Sequence, residues 1–206
     1  MMPTNNELKE QALARLSGKW GDAVIAFLVV GVISAVVGII PFASLVIAGP
    51  FALGLAGFFL RLARNEATDL KNVFDGFKNL GNAIGAYLLI ALVVMLGLIL
   101  LIVPGILAIL LLSQTYRIMH DEPELGIIDS MKKSYELMRN RMGEYFLLNL
   151  SFIGWALLCI LTLGLGFLVL IPYILTTNSL YYDHITNRSN LEIEELGSHL
   201  IEDVKE

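Results

Sequence analysis

The chain has 206 residues, 56% hydrophobic and only 16% charged, with a mean hydropathy of +0.72, whereas soluble domains carry roughly 25% charged residues. Its net charge of −5 belongs to the tail: residues 1–182 hold 12 basic and 12 acidic side chains, and 183–206 hold seven acids against Arg188 and Lys205. That balance excludes nucleic-acid binding, which needs a basic face, and the single cysteine, Cys159, excludes an internal disulfide.

Residues 4–20 read as an amphipathic helix. Thr4 and Glu7 have capping-box spacing, and Leu8, Ala12, Leu16 and Trp20 recur every four residues. This face has two possible homes, the membrane interface or the bundle itself. The first 22 residues mix acids and bases, and the apolar run behind them is too long for a cleaved leader, so no cleavage is expected.

Three runs follow that contain no Asp, Glu, Lys, Arg or His: Ala23–Leu60, Asn79–Tyr116 and Tyr145–Tyr182, each of 38 residues. A charge near a bilayer centre costs roughly 2.5–3.5 kcal/mol, and one spanning helix needs about 20 apolar residues. Each run is therefore two membrane helices joined by a tight turn. Breakers place the turns near Pro41, Gly97 and Gly164, while Pro50, Pro104 and Pro172 fall in the second arms. Gly81 and Gly85 form a G-x-x-x-G at the entry of the second run, which permits close helix contact.

Amphipathic helices precede the second and third runs. One is Thr68–Leu80, with Leu70, Val73, Phe74, Phe77 and Leu80 on one face. The other carries Ile127, Ile128, Met131, Tyr135, Met138 and Met142. The expected fold is all-α and integral to the membrane. It has six transmembrane helices in three hairpins (23–60, 79–116, 145–182), each preceded by an interfacial helix. Residues 1–182 form one domain, and 183–206 an acidic tail in which Leu196, Leu200 and Val204 suggest a docking helix.

All 14 Lys and Arg lie outside the turns, so the positive-inside rule places both termini and the segments 61–78 and 117–141 in the cytoplasm. Removing about four turn residues leaves roughly 17 residues per arm, or about 26 Å, slightly short of a hydrocarbon core. Trp20, Tyr116, Tyr145, Tyr181 and Tyr182 stand where charge meets apolar sequence, as an interfacial belt does.

Several blocks resemble a known family: Gly18-Lys19-Trp20-Gly21, Phe74-Asp75-Gly76-Phe77, Ile102-Val103-Pro104-Gly105-Ile106, Ser151 to Leu158, Leu163 to Phe167 and Ile171-Pro172-Tyr173. The family is a bacterial set of integral membrane proteins known only as domain of unknown function nine hundred and seventy-five. More distantly, the chain is similar to the membrane domain that accompanies some glycerophosphodiester phosphodiesterases. The resemblance implies a bacterial inner-membrane location and brings no catalytic residue with it.

The uncharged runs hold no Asp, Glu, Lys, Arg or His, which counts against proton coupling and acid–base catalysis, and no P-loop, H-E-x-x-H or G-x-S-x-G occurs. His120 with Asp121, Glu122 and Glu124 fits no standard metal-ligand set and reads as a solvated loop. Cys159 reads as a small buried hydrophobe. No cofactor, metal or catalytic residue is expected. The candidates for a cavity or a helix kink are Pro50, Pro104, Pro172, Asn149, Ser151, Trp155, Tyr173, Gln114 and Asn178. They line a cavity between the hairpins, or else they bond neighbouring helices as packing groups. The corresponding functions are a non-enzymatic scaffold or accessory, immunity-type factor, and alternatively an uncoupled transporter or lipid-handling protein. Expected partners are membrane lipids and another protein, met through the surface helices or the tail.

Overall fold

The computed structural model describes residues 3–40 and 43–203, with side chains through Asn187. Ten α-helices and one 3-10 segment follow in order: α1 Asn5–Leu16, α2 Trp20–Val37, α3 Ala43–Ala63, the 3-10 segment Leu70–Asn79, α4 Leu80–Leu100, α5 Ile102–Leu111, α6 Thr115–Asp121, α7 Ile127–Met138, α8 Met142–Leu150, α9 Ile153–Leu161 and α10 Phe167–Asp203.

The helix α3 is the centre. It packs against α1, α2, the 3-10 segment, α4, α6 and α10, and glycines let three of these come close. A Cβ on Gly49 would overlap the Ala83 carbonyl of α4, one on Gly54 the Val73 carbonyl of the 3-10 segment, and one on Gly57 the His120 ring of α6. The G-x-x-x-G at Gly81 and Gly85 does less than its spacing suggests: Gly81 faces open space, and Gly85 meets only the Ile127 side chain.

The amphipathic stretches resolve differently from one another. The capping box at the start of α1 forms as expected, Glu7 N–H donating to Thr4 Oγ1 and Thr4 N–H to Glu7 Oε2. Leu8, Ala12 and Leu16 are buried against the bundle, so the face packs on protein. The Thr68–Leu80 stretch forms the 3-10 segment. Such runs rarely exceed four residues, and this one is held by packing. Val73 and Gly76 share its buried edge, a Cβ on Gly76 would overlap the Pro50 carbonyl, and the Phe51 ring meets Phe74 and Phe77 edge-on at 5.9 and 5.0 Å. In α7 the expected apolar face is split: Met138 is buried and Ile127, Met131 and Met142 are half-buried, and the rest of the face lies outside. Ser130, Ser134, Leu137 and Met138 are buried, while Ile128 and Tyr135 are exposed.

Five segments are long and apolar enough to cross a membrane: Trp20–Val37, Ala43–Ala63, Leu70–Leu100, Ile102–Asp121 and Met142–Leu161. The sixth expected arm, the first part of α10, is not among them. It carries Thr176, Thr177, Asn178 and Ser179, all buried, and this polar run lowers its hydropathy. The helix α10 continues through the 182/183 boundary without a break; the side chains of Leu196, Leu200 and Val204 lie outside the described residues.

The turns fall near the expected places. Pro41 lies outside the described residues, between α2 and α3. The second turn is at Leu101, four residues past Gly97, where the backbone is extended between α4 and α5. Gly97 and Gly105 pack backbone to backbone beside it. The third is at Leu163-Gly164, both with positive φ (53° and 87°), a conformation Gly adopts freely and Leu does not.

Candidate functional site

The second hairpin breaks in its descending arm, between α5 and α6, and the chain supplies a partner for each carbonyl released there. Ser113 Oγ donates to Leu110 O (2.8 Å), Ser134 Oγ of α7 to Leu111 O (2.7 Å), Thr115 Oγ1 to Leu112 O (2.8 Å) and Arg117 Nη1 to Ser113 O (3.3 Å). The Gln114 amide donates to Ser134 Oγ, and the Gln114 side chain bridges Ser113 Oγ and Arg117. Irregular backbone at membrane depth survives only when enclosed by protein or lining a cavity. This break is enclosed: Gln114, Thr115 and Ser134 are fully buried.

Arg117 was read from sequence as the water boundary, and the structure corrects that reading. It is only 7% exposed. Its Nε donates to Ser179 Oγ of α10 (3.3 Å) and its Nη1 to Gln114 Oε1 (3.0 Å). Among the described residues no carboxylate lies within ion-pair distance of it. The guanidinium thus ties the broken helix to α10 with three hydrogen bonds, to Ser113 O, Gln114 Oε1 and Ser179 Oγ. The uncharged polar run just before it, Ser113-Gln114-Thr115, was the signal that could have marked a buried arginine.

Asn149 and Asn178 meet across α8 and α10, Asn178 Nδ2 donating to Asn149 Oδ1 (3.2 Å), while Asn149 Nδ2 donates to Tyr145 O. Ser151 sits at a second break, between α8 and α9. Its hydroxyl bonds Leu148 O, and its own carbonyl accepts from Lys9 Nζ of α1 (3.2 Å). The Lys9 ammonium also lies 4.5 Å from the Phe152 ring centroid, a cation–π contact, and partial burial lowers its pKa.

Trp155 and Tyr173 come together. With Leu13, Trp20, Cys159, Gly166, Val169 and Leu170 they line an apolar cleft of about 360 Å³ between α1, α2, α9 and α10. Tyr173 packs edge-on against Phe152 at 5.3 Å and donates from its hydroxyl to Lys9 O (3.3 Å). Cys159 is a packing group, buried against Gly166.

The prolines are not where the arms break. Pro50 and Pro172 lie inside α3 and α10, and Pro104 is in the first turn of α5, where a missing N–H costs nothing. Each of Pro50 and Pro172 is followed by an aromatic that finds an edge-on partner, Phe51 on Phe77 and Tyr173 on Phe152.

At the charged end one arginine joins the ends of α3 and α6 to α10. Arg64, just past α3, holds Asp121 of α6 with two bonds (2.8 and 2.7 Å) and Asp183 of α10 with a third (2.8 Å). Tyr182 donates to Asp121 at 3.2 Å. The bond to Asp121 is the main cause that raises the Arg64 pKa, with Asp183 adding to it. The expected aromatic belt is corrected here: Tyr145, Tyr181 and Tyr182 are buried in the core. Nearby, Arg61, Asp75, Lys78 and His120 face a cavity of about 260 Å³, in which Arg61 and Asp75 pair at 3.5 Å. No group of three or more metal-binding side chains gathers among the described residues.

These features define, among the described residues, an all-helical protein with five segments fit to cross a membrane, with buried polar groups bonded to one another and many apolar side chains exposed. The chain belongs to the family described as Protein of unknown function (DUF975), whose profile matches residues 1–111 and 93–189. No curated protein and no solved structure matches it.

Proposed function

We propose that the protein is a six-span protein of the bacterial inner membrane, with both termini cytoplasmic, that works without catalysis as a scaffold or accessory factor. One observation carries this reading. Most polar groups at membrane depth are used in holding helices: the α5/α6 break is closed by Ser113, Thr115, Ser134 and Arg117, and Asn149 is bonded to Asn178, whose Oδ1 is left unpaired. A catalytic or translocating site needs such groups aimed at a substrate. What remains open is a face: the outward stripe of Ile128 and Tyr135 on α7 at the charged end. A photo-crosslinker at Ile128 or Tyr135 in native membranes is expected to capture the same protein repeatedly. Adducts with lipid alone would remove the scaffold reading.

A second reading, lipid handling, is supported by the cleft at Trp155 and Tyr173, because an apolar cleft bordering the bilayer is filled by hydrocarbon. A crosslinker at Trp155 then captures phospholipid, and Val169→Trp, which narrows the cleft from its exposed wall, reduces that capture. Vesicles containing the protein that move no labelled lipid would leave the cleft a static binding site.

A further inference from the structure

The three hairpin tips are unusual for turns that face water. Ile39 is 82% exposed, Leu163 is 95% exposed, and Ile99, Leu100, Leu101, Ile102 and Val103 form five consecutive exposed apolar residues. From Ile39 to Ile40, from Ile99 to Val103 and from Leu161 to Leu165, Thr162 is the only polar side chain, and Pro41 and Phe42 extend the first tip with two further apolar residues in sequence. We infer that the tips stop within the membrane, seated against lipid hydrocarbon at its outer edge, so that the hairpins present lipid-facing ends where water-facing loops are the usual arrangement.

A second, independent observation supports this: the backbone donors of the third tip, and those of the first as far as Ile40, are paired within the chain as lipid requires. In the third tip Leu163 N–H donates to Ile160 O, Gly164 to Cys159 O, Leu165 to Thr162 O, Phe167 to Gly164 O and Leu168 to Leu165 O. The one polar side chain is used in the same way. Thr162 Oγ1 accepts from Gly166 N–H (3.1 Å) and donates to Cys159 O (2.8 Å). In the first tip Gly38, Ile39 and Ile40 donate to Ser34, Val36 and Val37 carbonyls. The second is closed only in part: Leu101 donates to Gly97 O, Gly105 donates to Leu101 O and Pro104 has no N–H, while the Ile102 and Val103 N–H groups at the start of α5 have no backbone partner. A turn in water has no need of this closure, since solvent serves its donors.

Length agrees. The helix α2, Trp20–Val37, is about 27 Å long and α4, Leu80–Leu100, about 32 Å, at about 1.5 Å per residue. A hydrocarbon core is about 30 Å thick, so arms that start at the charged boundary reach its far edge and go no further.

The inference rests on the six-span reading, and one experiment separates the two. Single cysteines are placed at Leu101, Leu163 and Lys71 in a Cys159→Ser background of the full chain, with Ile39→Cys as a third tip should one variant fail to accumulate. Intact cells and inverted vesicles are treated with a charged, impermeant maleimide. Lys71→Cys is expected to react from the cytoplasmic side only. The tip cysteines are expected to react from neither side, about fiftyfold more slowly than Lys71→Cys because the reagent must carry its charge into hydrocarbon, and to react fully once denatured. Nitroxides at the tips should be relaxed by oxygen more than by a water-soluble nickel chelate. Tip cysteines that react from outside at the Lys71 rate overturn the inference and leave six spans intact. Lys71→Cys reacting from outside overturns both. Efficient tip-to-tip cross-linking makes a second copy the occupant and overturns the lipid assignment.

Discussion

At the scale of single residues, the sharpest statement concerns a methyl group. Gly54 and Gly76 lie where the 3-10 segment crosses α3, and a Cβ at either would overlap a backbone carbonyl, Val73 O or Pro50 O. A carbonyl inside a packed crossing cannot swing away as a side-chain end can, so the crossing must open. Overpacking typically costs about 1–3 kcal/mol and occasionally more, and backbone contact belongs at the upper end. Gly54→Ala and Gly76→Ala are expected to destabilise the protein by about 3 kcal/mol, and Gly81→Ala, which meets open space, by less than about 0.5 kcal/mol. Denaturation of the purified protein in mixed micelles reads the difference. Equal losses at all three positions would remove the crossing as their cause. The result also bears on the Phe74-Asp75-Gly76-Phe77 block: its glycine admits the Pro50 carbonyl, its phenylalanines clamp Phe51, and its aspartate pairs with Arg61 and Lys78.

At the scale of elements, two serines one turn apart on α7 separate bonding from mere burial. Both are fully buried. Ser134 donates to Leu111 O and accepts from the Gln114 amide, whereas Ser130 Oγ has no partner. Removing Ser134 Oγ strands two groups of the α5/α6 break, each costing about 1–3 kcal/mol. Ser134→Ala is expected to cost about 3 kcal/mol in the same unfolding assay, while Ser130→Ala, which deletes an unsatisfied hydroxyl, should be neutral or stabilising. A pH test belongs to α1. Hydrogen bonds from the Thr4 backbone and hydroxyl hold the Glu7 carboxyl below its ordinary 4.5. A lowered folded pKa gives stability that is present above the ordinary value and is lost as pH falls through the folded one. Protection of the α1 amides from hydrogen exchange should therefore decline below pH 4.5, and Glu7→Gln should flatten that dependence.

At the scale of the whole molecule, what was legible in the sequence was whatever hydration dictates. Three uncharged runs of 38 residues mark where the five segments long and apolar enough to cross a membrane lie, because a charge in hydrocarbon is too costly to hide, and Gly164 marked its turn by the φ it permits. The break at Gln114 was not legible, because neutral polar residues serve a kink, a cavity or a helix contact with the same letters. Arg117 misled for a related reason: a cation at the end of an apolar run reads as the waterline, and only the fold shows Gln114 and Ser179 waiting for it. The α7 stripe held at Met138 and failed at Ile128 and Tyr135, because the buried side of the helix is shared with Ser134, which the α5/α6 break needs. Arg64 was visible only as the end of an arm, yet it takes carboxylates from α6 and α10 and so ties α3, α6 and α10 together. Asp121 and Asp183 keep 19% and 28% side-chain exposure, so their desolvation is partial, and removing the shared cation falls below the 3–5 kcal/mol of a fully buried pair. Arg64→Leu is expected to cost about 2–3 kcal/mol, part of which returns when Asp121→Asn is added, because one stranded charge is then gone. Arg64→Lys should recover little, since an ammonium cannot make the two-point contact with Asp121 and reach Asp183 as well. If the arginine joins the three helices, as distinct from anchoring α3 alone, Arg64→Leu must also reduce cross-linking yields between cysteines on α6 and α10 near Asp121 and Asp183. Unchanged yields together with a loss of stability would confine its action to the end of α3.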